Sequence, residues 1–205
     1  MFAFIAACLN GQAAERTFFD YSLATFEGQN APLASYKDKV VLLVVVADKS
    51  EYSPQLAKLD ELYKRRKEAG LEVIGVVSNE FGGEAVSSKT DLAKIYREQL
   101  KLSFPVFGPM EVKGKKQSPV FEFFAGKNDN KVNGRVHWVF TKLLINRKGK
   151  LVAAFESDTE PDAPELEAAI AKTLANEDLQ PKKDKDEEKK SPAPESDDDD
   201  DVGRE

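Results

Sequence analysis

The most apolar stretch of the chain lies near the end of its first quarter. Residues 39–47, "KVVLLVVVA", form a continuous run rich in valine, and residues 71–78, "LEVIGVVS", form a second run of the same kind. Continuous β-branched runs of this length are typical of strands that helices cover on both faces. The pattern therefore predicts two central strands of one sheet.

The segment between these runs has the pattern of an amphipathic helix. Ser53 is a natural N-cap, Pro54 a natural first helical residue and Gly70 a natural end point. A strand, a helix and a second strand in this order predict a parallel pair with a right-handed crossover. The apolar stripe of the helix consists of Leu56, Leu59, Leu62 and Tyr63.

Four further elements follow this unit. We predict a helix over 88–100, an extended segment over 104–112, a β-hairpin over 142–155 around "RKG", and an amphipathic helix over 162–175. Together with the first unit, they predict an α/β protein of the thioredoxin-like fold, with a central mixed sheet flanked by helices. The inner face predicted for the last helix consists of Ala168, Ala169, Ile170 and Leu174.

The two ends differ from this domain in composition. The first 16 residues contain an apolar run, Phe2 to Leu9, and no basic residue before Arg16. We interpret them as a short apolar helix that packs on the domain or on a partner, with a cleaved signal as the alternative. No run of 18 apolar residues occurs, so no membrane span is expected.

The C-terminal end is strongly charged. From Pro181 onward it has no aromatic residue and one aliphatic residue, Val202, so it cannot bury enough apolar surface to offset the entropy of ordering. We expect a disordered tail that solubilises the protein or contacts a partner. The predicted organisation is an N-terminal apolar extension (1–16), a folded domain (17–178) and a disordered charged tail (179–205).

The charge of the chain is concentrated in this tail. The net charge is −6, and 6 basic and 11 acidic residues from Pro181 onward account for −5 of it. The rest of the chain is nearly neutral and has no basic surplus to neutralise phosphates, which argues against a nucleic-acid-binding protein.

Cys8 is the only cysteine of the chain. A single cysteine excludes an intramolecular disulfide, a thiolate metal cluster and a redox cycle of two cysteines within the chain. We expect an intracellular location, cytoplasmic or mitochondrial, in preference to a secreted one. No metal and no cofactor is expected.

Four segments in order resemble the glutathione peroxidase family over residues 17–175. They are "FFDYSLATFEGQNAPLASYKDKVVLLVVVA" (18–47), "NEFGG" (79–83), "FPVF" (104–107) and "HWVFTKLLINRKG" (137–149). The stretch between the last two is short, which resembles the thioredoxin-using, mostly monomeric branch. The resemblance implies the thioredoxin-like fold, peroxidase ancestry and a protein that is a monomer on its own.

The residues at the family's catalytic positions depart from its pattern. Alignment of "ADKSEYSPQ" with the family's Ala-Ser-Lys-Cys-Gly motif places Ser50 at the reactive cysteine or selenocysteine. Glu80 stands at the family's glutamine and Val139 at its asparagine, whereas Trp138 matches the family's tryptophan. The second redox cysteine of the family has no counterpart in the helix before "FPVF".

These departures argue against peroxidase chemistry at this site. A serine hydroxyl is neither anionic near neutral pH nor oxidised and recycled as a thiolate is. Val139 donates no hydrogen bond, and an ionised Glu80 would repel an anionic nucleophile. We therefore expect a catalytically inactive, glutathione-peroxidase-like pseudoenzyme that binds protein partners as a structural or adaptor subunit. The alternative is a redox-linked protein with residual thiol-dependent peroxidase activity or peroxide sensing through Cys8.

Two other interpretations use the same residues. A hydrolase would need Ser50 as nucleophile, His137 as base and Glu80 as orienting group. A hard cation would need ligands such as Asp48, Glu51 and Glu80. We favour simpler roles: Ser50 as a cap or turn residue, His137 at a half-exposed strand position, Trp138 as a core aromatic and Cys8 as a packing residue.

Overall fold

The computed structural model describes residues 16–78, 80–81, 89–126 and 132–177. The predicted N-terminal extension and acidic tail lie almost wholly outside these ranges. The strands of the described residues are β1 (Ser22–Ala24), β2 (Asn30–Pro32), β3 (Val40–Val46), β4 (Leu71–Val77), β5 (Val106–Phe107), β6 (Lys142–Ile145) and β7 (Leu151–Phe155).

A five-stranded mixed sheet forms the centre of the domain, in the order β5-β4-β3-β6-β7. The β3 and β4 strands are parallel from the pair Val40 and Leu71 to the pair Val46 and Val77. The β6 strand is antiparallel to both β3 and β7. Every residue of β3 is buried, which confirms the prediction of a central strand covered on both faces. The predicted hairpin is likewise confirmed.

In the described ranges, the helices are α1 (Gln55–Arg66), α2 (Lys89–Lys94), α3 (Pro119–Ala125) and α4 (Pro164–Leu174). Three of the helices lie where the sequence pattern predicts them, and a fourth, α3, is additional. A single π-helical turn, Ile95–Gln99, continues α2. After α1 comes a short 3-10 turn that ends at Gly70, whose φ of 97° is left-handed as predicted for a helix end. The thioredoxin-like fold class is confirmed.

Two local predictions are wrong, and one helix was not predicted. The Ser53 side chain does not cap α1, which begins at Gln55 after a turn. The α3 helix was not predicted, because its seven residues "PVFEFFA" are too few to show a helical period clearly. Ala168 is exposed on α4, whereas Leu166 and Thr173 are buried on its inner face.

One edge of the sheet collects the residues singled out by the resemblance. The carboxyl ends of the parallel strands β3 and β4 lie at the same edge, and the amino end of the antiparallel β6 meets them there. The Phe140 N–H donates to the Val45 carbonyl at 2.5 Å, which joins β3 to the turn before β6. Within the described part of the chain, no helix is long and apolar enough to cross a membrane.

Candidate functional site

The sheet edge brings three separate segments together. Ser50 follows β3, Glu80 and Phe81 follow β4, and Trp138 precedes β6. The rings of Phe81 and Trp138 have centroids 5.3 Å apart, which joins the last two segments directly. The fold therefore places the predicted positions at a common edge although they lie far apart in sequence.

Ser50 belongs to a hydrogen-bonded turn between β3 and α1. Its side-chain oxygen accepts a hydrogen bond from the Tyr52 N–H at 3.2 Å. Its own N–H donates to the Ser53 hydroxyl at 2.9 Å, and that hydroxyl donates to the Ala47 carbonyl at 3.1 Å. Ser50 is only 9% exposed. The contacts are those of a turn residue, and Ser53 closes the turn from inside instead of capping the helix.

The carboxylate of Glu80 accepts hydrogen bonds from backbone N–H groups. Its Oε2 atom accepts from the Val112 N–H at 2.5 Å and from the Lys113 N–H at 3.1 Å, and the Ser78 hydroxyl lies 3.4 Å away. These bonds tie the segment after β4 to the segment before α3. No described hydrogen bond joins Glu80 to Ser50. The carboxylate therefore serves as a clamp between two segments, a role that its sequence position does not indicate.

Trp138 lies at the surface, and the prediction of a core aromatic is wrong. It is 41% exposed, because it stands in a turn beyond the sheet edge and its ring lies against Phe81. Phe81 is itself buried, and the Lys113 Nζ lies 4.0 Å from the centroid of its ring. The buried ring of Phe81 thus contacts both the exposed indole of Trp138 and the ammonium group of Lys113.

Val139 and Phe140 point inward. Both are fully buried, so the position predicted to match the family's asparagine carries an apolar core side chain. The Val139 carbonyl accepts from the Ser157 hydroxyl at 2.6 Å. Phe140 has a φ of 61°, a left-handed conformation that is rare for an aromatic residue. The turn before β6 is therefore strained and internally bonded.

The described contacts do not assemble a hydrolase triad. The Nδ1 atom of His137 lies 3.2 Å from the Glu156 carboxylate, and both side chains are 59% exposed. His137 lies in the irregular segment before β6, so the expected strand position is wrong. No described contact joins it to Ser50 or Glu80.

The carboxylates proposed as cation ligands do not gather either. Among the described residues, no group of three or more histidine, cysteine, aspartate or glutamate side chains is placed to hold a metal ion. A metal centre built from Asp48, Glu51 and Glu80 has no support in this arrangement.

A groove of about 440 Å³ with a mixed polar and apolar lining adjoins the surface around Trp138. It shares Lys113 with the clamp and ring contacts described above, and it lies between α3 and the segment before β6. The charges in its wall are mixed, with two basic groups and one carboxylate. Its polar lining residues include Lys113, Gln117, Glu122, Arg135 and His137.

Sequence reasoning missed several residues of this site. Phe81 belongs to a motif that the sequence shows, but its contact with Trp138 depends on the fold. Lys113 and Tyr52 carry no motif signal, and their roles follow from loop geometry. Lys142, within the recognised "FTKLLI" segment, is fully buried, and no pattern indicates a buried lysine.

Comparison with known proteins places this geometry in a family. A model of the glutathione peroxidase family matches residues 18–125, which is more than half of the chain. A protein named "Glutathione peroxidase" from Lactococcus lactis is 32% identical over 157 residues, which cover 77% of this chain and 99% of that protein. The "Hydroperoxy fatty acid reductase Gpx2" of Synechocystis is 35% identical over 153 residues, covering 75% and 96%.

These names correct the expectation that the chain is not an enzyme. Relatives at this level of identity are named as peroxidases and reductases, so the chain comes from a family of enzymes. The substitutions at Ser50, Glu80 and Val139 concern one nucleophile and its donors. They do not exclude chemistry that uses another sulfur atom, which is why the inference from those positions went too far.

The fold agrees with the sequence matches. The crystal structure of Trgpx in its apo form superposes with a TM-score of 0.63 at 27% identity, covering 80% of this chain and all of that one. On its sequence and its fold, the chain belongs to the glutathione peroxidase family.

Proposed function

We propose that this protein acts in thiol-dependent hydroperoxide metabolism, reducing or sensing hydroperoxides with Cys8 as its redox-active sulfur. The observation that carries the proposal is the extent of the match: relatives named as peroxide-reducing enzymes align over 96–99% of their length. A relationship that spans the whole catalytic domain favours a retained link to hydroperoxides.

The chemistry requires a thiol, and Ser50 does not supply one. A thiolate attacks one peroxide oxygen, the O–O bond breaks, and the other oxygen leaves as an alcohol after taking a proton. The sulfur is oxidised by two electrons to a sulfenic acid. One external thiol then releases water and forms a mixed disulfide, and a second thiol restores the cysteine and leaves as the disulfide. Cys8 is the single residue of the chain that can take this role, and it lies outside the described residues.

The described edge fits the binding part of this function. Trp138 offers an exposed apolar face next to the buried ring of Phe81. Lys113 places a positive charge beside them, at the rim of the groove. An apolar surface with a nearby cation suits the binding of an organic hydroperoxide. In this proposal Ser50 orients the turn and is not itself oxidised.

A protein partner and an intracellular location belong to the same proposal. The partner is a thiol protein that reduces Cys8 or a larger complex that receives the signal, and the acidic tail contributes to its capture. A pull-down with the full chain and with a variant lacking residues 181–205 tests this part. Equal recovery of partners by both chains would argue against a role for the tail.

A coupled assay tests the redox function. The full chain is mixed with an organic hydroperoxide and either thioredoxin with its reductase or glutathione with its reductase, and oxidation of the nicotinamide is followed. We expect slow turnover, or stoichiometric oxidation of one thiol, that Cys8→Ser abolishes. No hydroperoxide consumption by the wild-type chain with either reductant would overturn the proposal. Turnover that survives Cys8→Ser would overturn the role of Cys8.

A further inference from the structure

Lys142 is a fully buried lysine with no carboxylate partner among the described ion pairs. Its Nζ atom donates a hydrogen bond to the Phe140 carbonyl at 2.8 Å and lies 3.5 Å from the Glu156 carbonyl. Buried lysines are rare unless their charge is paired. Burying this ammonium group costs free energy, so we expect its hydrogen bonds to stabilise a specific part of the structure.

The ammonium group holds the strained turn before β6. Three consecutive carbonyls of this turn each accept a side-chain hydrogen bond: Trp138 from Thr141 at 2.8 Å, Val139 from Ser157 at 2.6 Å, and Phe140 from Lys142. The central strain is the left-handed conformation of Phe140, with its φ of 61°. Such a conformation persists only where surrounding contacts over-determine it.

The turn contacts both parts of the candidate site. At one end, the ring of Trp138 lies on Phe81 at the surface. At the other end, the ring of Phe140 lies 6.3 Å from that of Tyr52, whose N–H donates to the Ser50 hydroxyl. A change in the Phe140 backbone would therefore move the indole and disturb the Ser50 turn together.

We propose that Lys142 is a positioning residue of this site: by holding Phe140 in its left-handed conformation, it fixes Trp138 at the surface and Tyr52 beside Ser50. The inference rests on the proposed function only in treating this sheet edge as the site. The positioning itself is a property of the turn and can be measured without any peroxidase activity.

The electrostatic surroundings make this hold dependent on pH. Burial lowers the pKa of Lys142 to about 8, and the carboxylates of Glu160, Asp158 and Glu156 oppose that shift. Glu160 is paired with Lys58, and Glu156 lies beside His137. An ammonium donates a stronger hydrogen bond than a neutral amine. The hold on the Phe140 carbonyl therefore weakens as the pH rises through about 8.

Fluorescence of the single tryptophan tests the proposal, because Trp138 alone reports on the turn. In the full wild-type chain, we expect a step in emission or acrylamide quenching with a midpoint near pH 8. Lys142→Met should abolish this step and change the emission at neutral pH. Lys148→Met, at an exposed position of the β6-β7 turn, should behave as the wild type. A folded Lys142→Met protein that keeps both the wild-type emission and the step would overturn the proposal.

A second measurement keeps the proposal testable if Lys142→Met fails to fold. Ser157→Ala removes the donor to the Val139 carbonyl and leaves the charge of Lys142 in place, so it should shift the emission but keep the pH step. A folded Ser157→Ala protein with the emission and quenching of the wild type would show that the hydrogen bonds of this turn do not position Trp138, and it would overturn the proposal. A step in fluorescence without hydroperoxide turnover would count against the proposed function alone.

Discussion

The ring of Phe81 supports the ring of Trp138 at a centroid distance of 5.3 Å, so a buried aromatic residue carries an exposed one. Phe81 comes from the segment after β4 and Trp138 from the turn before β6. The contact therefore joins two sides of the sheet edge, and the Lys113 Nζ lies over the ring of Phe81. This edge is the surface at which we propose that hydroperoxides bind.

The two rings should differ in their contribution to stability. Phe81 is 2% exposed, and its replacement by alanine leaves a cavity in the core, which costs about 3 kcal/mol of unfolding free energy. Trp138 is 41% exposed, and its replacement by alanine should cost about 1 kcal/mol. Urea denaturation followed by circular dichroism measures both. Equal costs for the two variants would contradict the placement of Trp138 at the surface.

Replacing Ser50 by cysteine should increase the activity. We expect Ser50→Cys to raise the rate of hydroperoxide reduction by at least about tenfold, because a partly ionised thiol is a far better nucleophile than a hydroxyl. The coupled assay with thioredoxin or glutathione measures the rate. Ser35→Cys, an exposed serine in the segment after β2, provides a control for the effect of an added thiol. Equal rates for the two cysteine variants would show that position 50 is not a reactive position.

The charge of Glu80 should limit that gain. In the Ser50→Cys background, Glu80→Gln replaces the carboxylate by the family's amide, which still accepts the bonds from Val112 and Lys113. Removing a negative charge favours an anionic nucleophile nearby, so activity should rise further and the pKa of the new thiol should fall. Thiol alkylation against pH measures that pKa. Glu80→Ala removes the accepted bonds as well, and it should lower stability by about 1–3 kcal/mol. An unchanged thiol pKa in Glu80→Gln would place Glu80 too far away to act on position 50.

Parts of this fold could be predicted from sequence because they rest on local periodicity. The valine-rich run of β3 is apolar at every position, and a strand buried on both faces needs that pattern. The turn at Gly70 needs a left-handed residue, which the sequence also shows. Burial and spacing within one segment are therefore visible without a structure.

The chemistry of the site rests on contacts between distant segments, which no local pattern shows. Glu80 finds its donors at Val112 and Lys113, more than thirty residues away. The exposure of Trp138 depends on the turn before β6, which lies beyond the last paired residues of β3 and β6. The short helix α3 could not be predicted for a different reason: its seven residues give fewer than two full turns, too few to show a helical period.

Gly134, in the segment that leads to Trp138, is closely packed. A Cβ atom added at Gly134 would lie 2.6 Å from Leu151 Cδ2 and 2.8 Å from Phe124 Cβ. Gly134→Ala should therefore force α3 away from β7 and cost about 1–3 kcal/mol. Thermal unfolding measures the loss. Gly114→Ala has open space around its Cβ and serves as a comparison, although its φ of 76° adds strain of about 1 kcal/mol. A smaller loss at Gly134 than at Gly114 would contradict the packing.

Asp60 should make the stability of the domain depend on pH in the acidic range. Burial opposes its ionisation, but the Lys64 ammonium at 2.6 Å and the Ser103 N–H at 2.6 Å together hold the pKa of Asp60 below its usual range. A carboxyl whose pKa is lower in the folded state stabilises the fold above its unfolded pKa of about 3.9. That stabilisation is lost as the pH falls through the folded pKa.

The pH dependence of Asp60→Asn should show this sign. At pH 7 we expect the variant to be less stable than the wild type by about 1 kcal/mol, because Lys64 is largely exposed and solvent screens part of the attraction. The difference should shrink as the pH falls below about 4, where the wild-type carboxyl takes up its proton. Urea unfolding at pH 7, 5, 4 and 3 measures it. Asp162→Asn, at an exposed pair with Lys58, should leave stability unchanged. A difference at Asp60 that stays constant down to pH 3 would mean that its charge does not stabilise the fold.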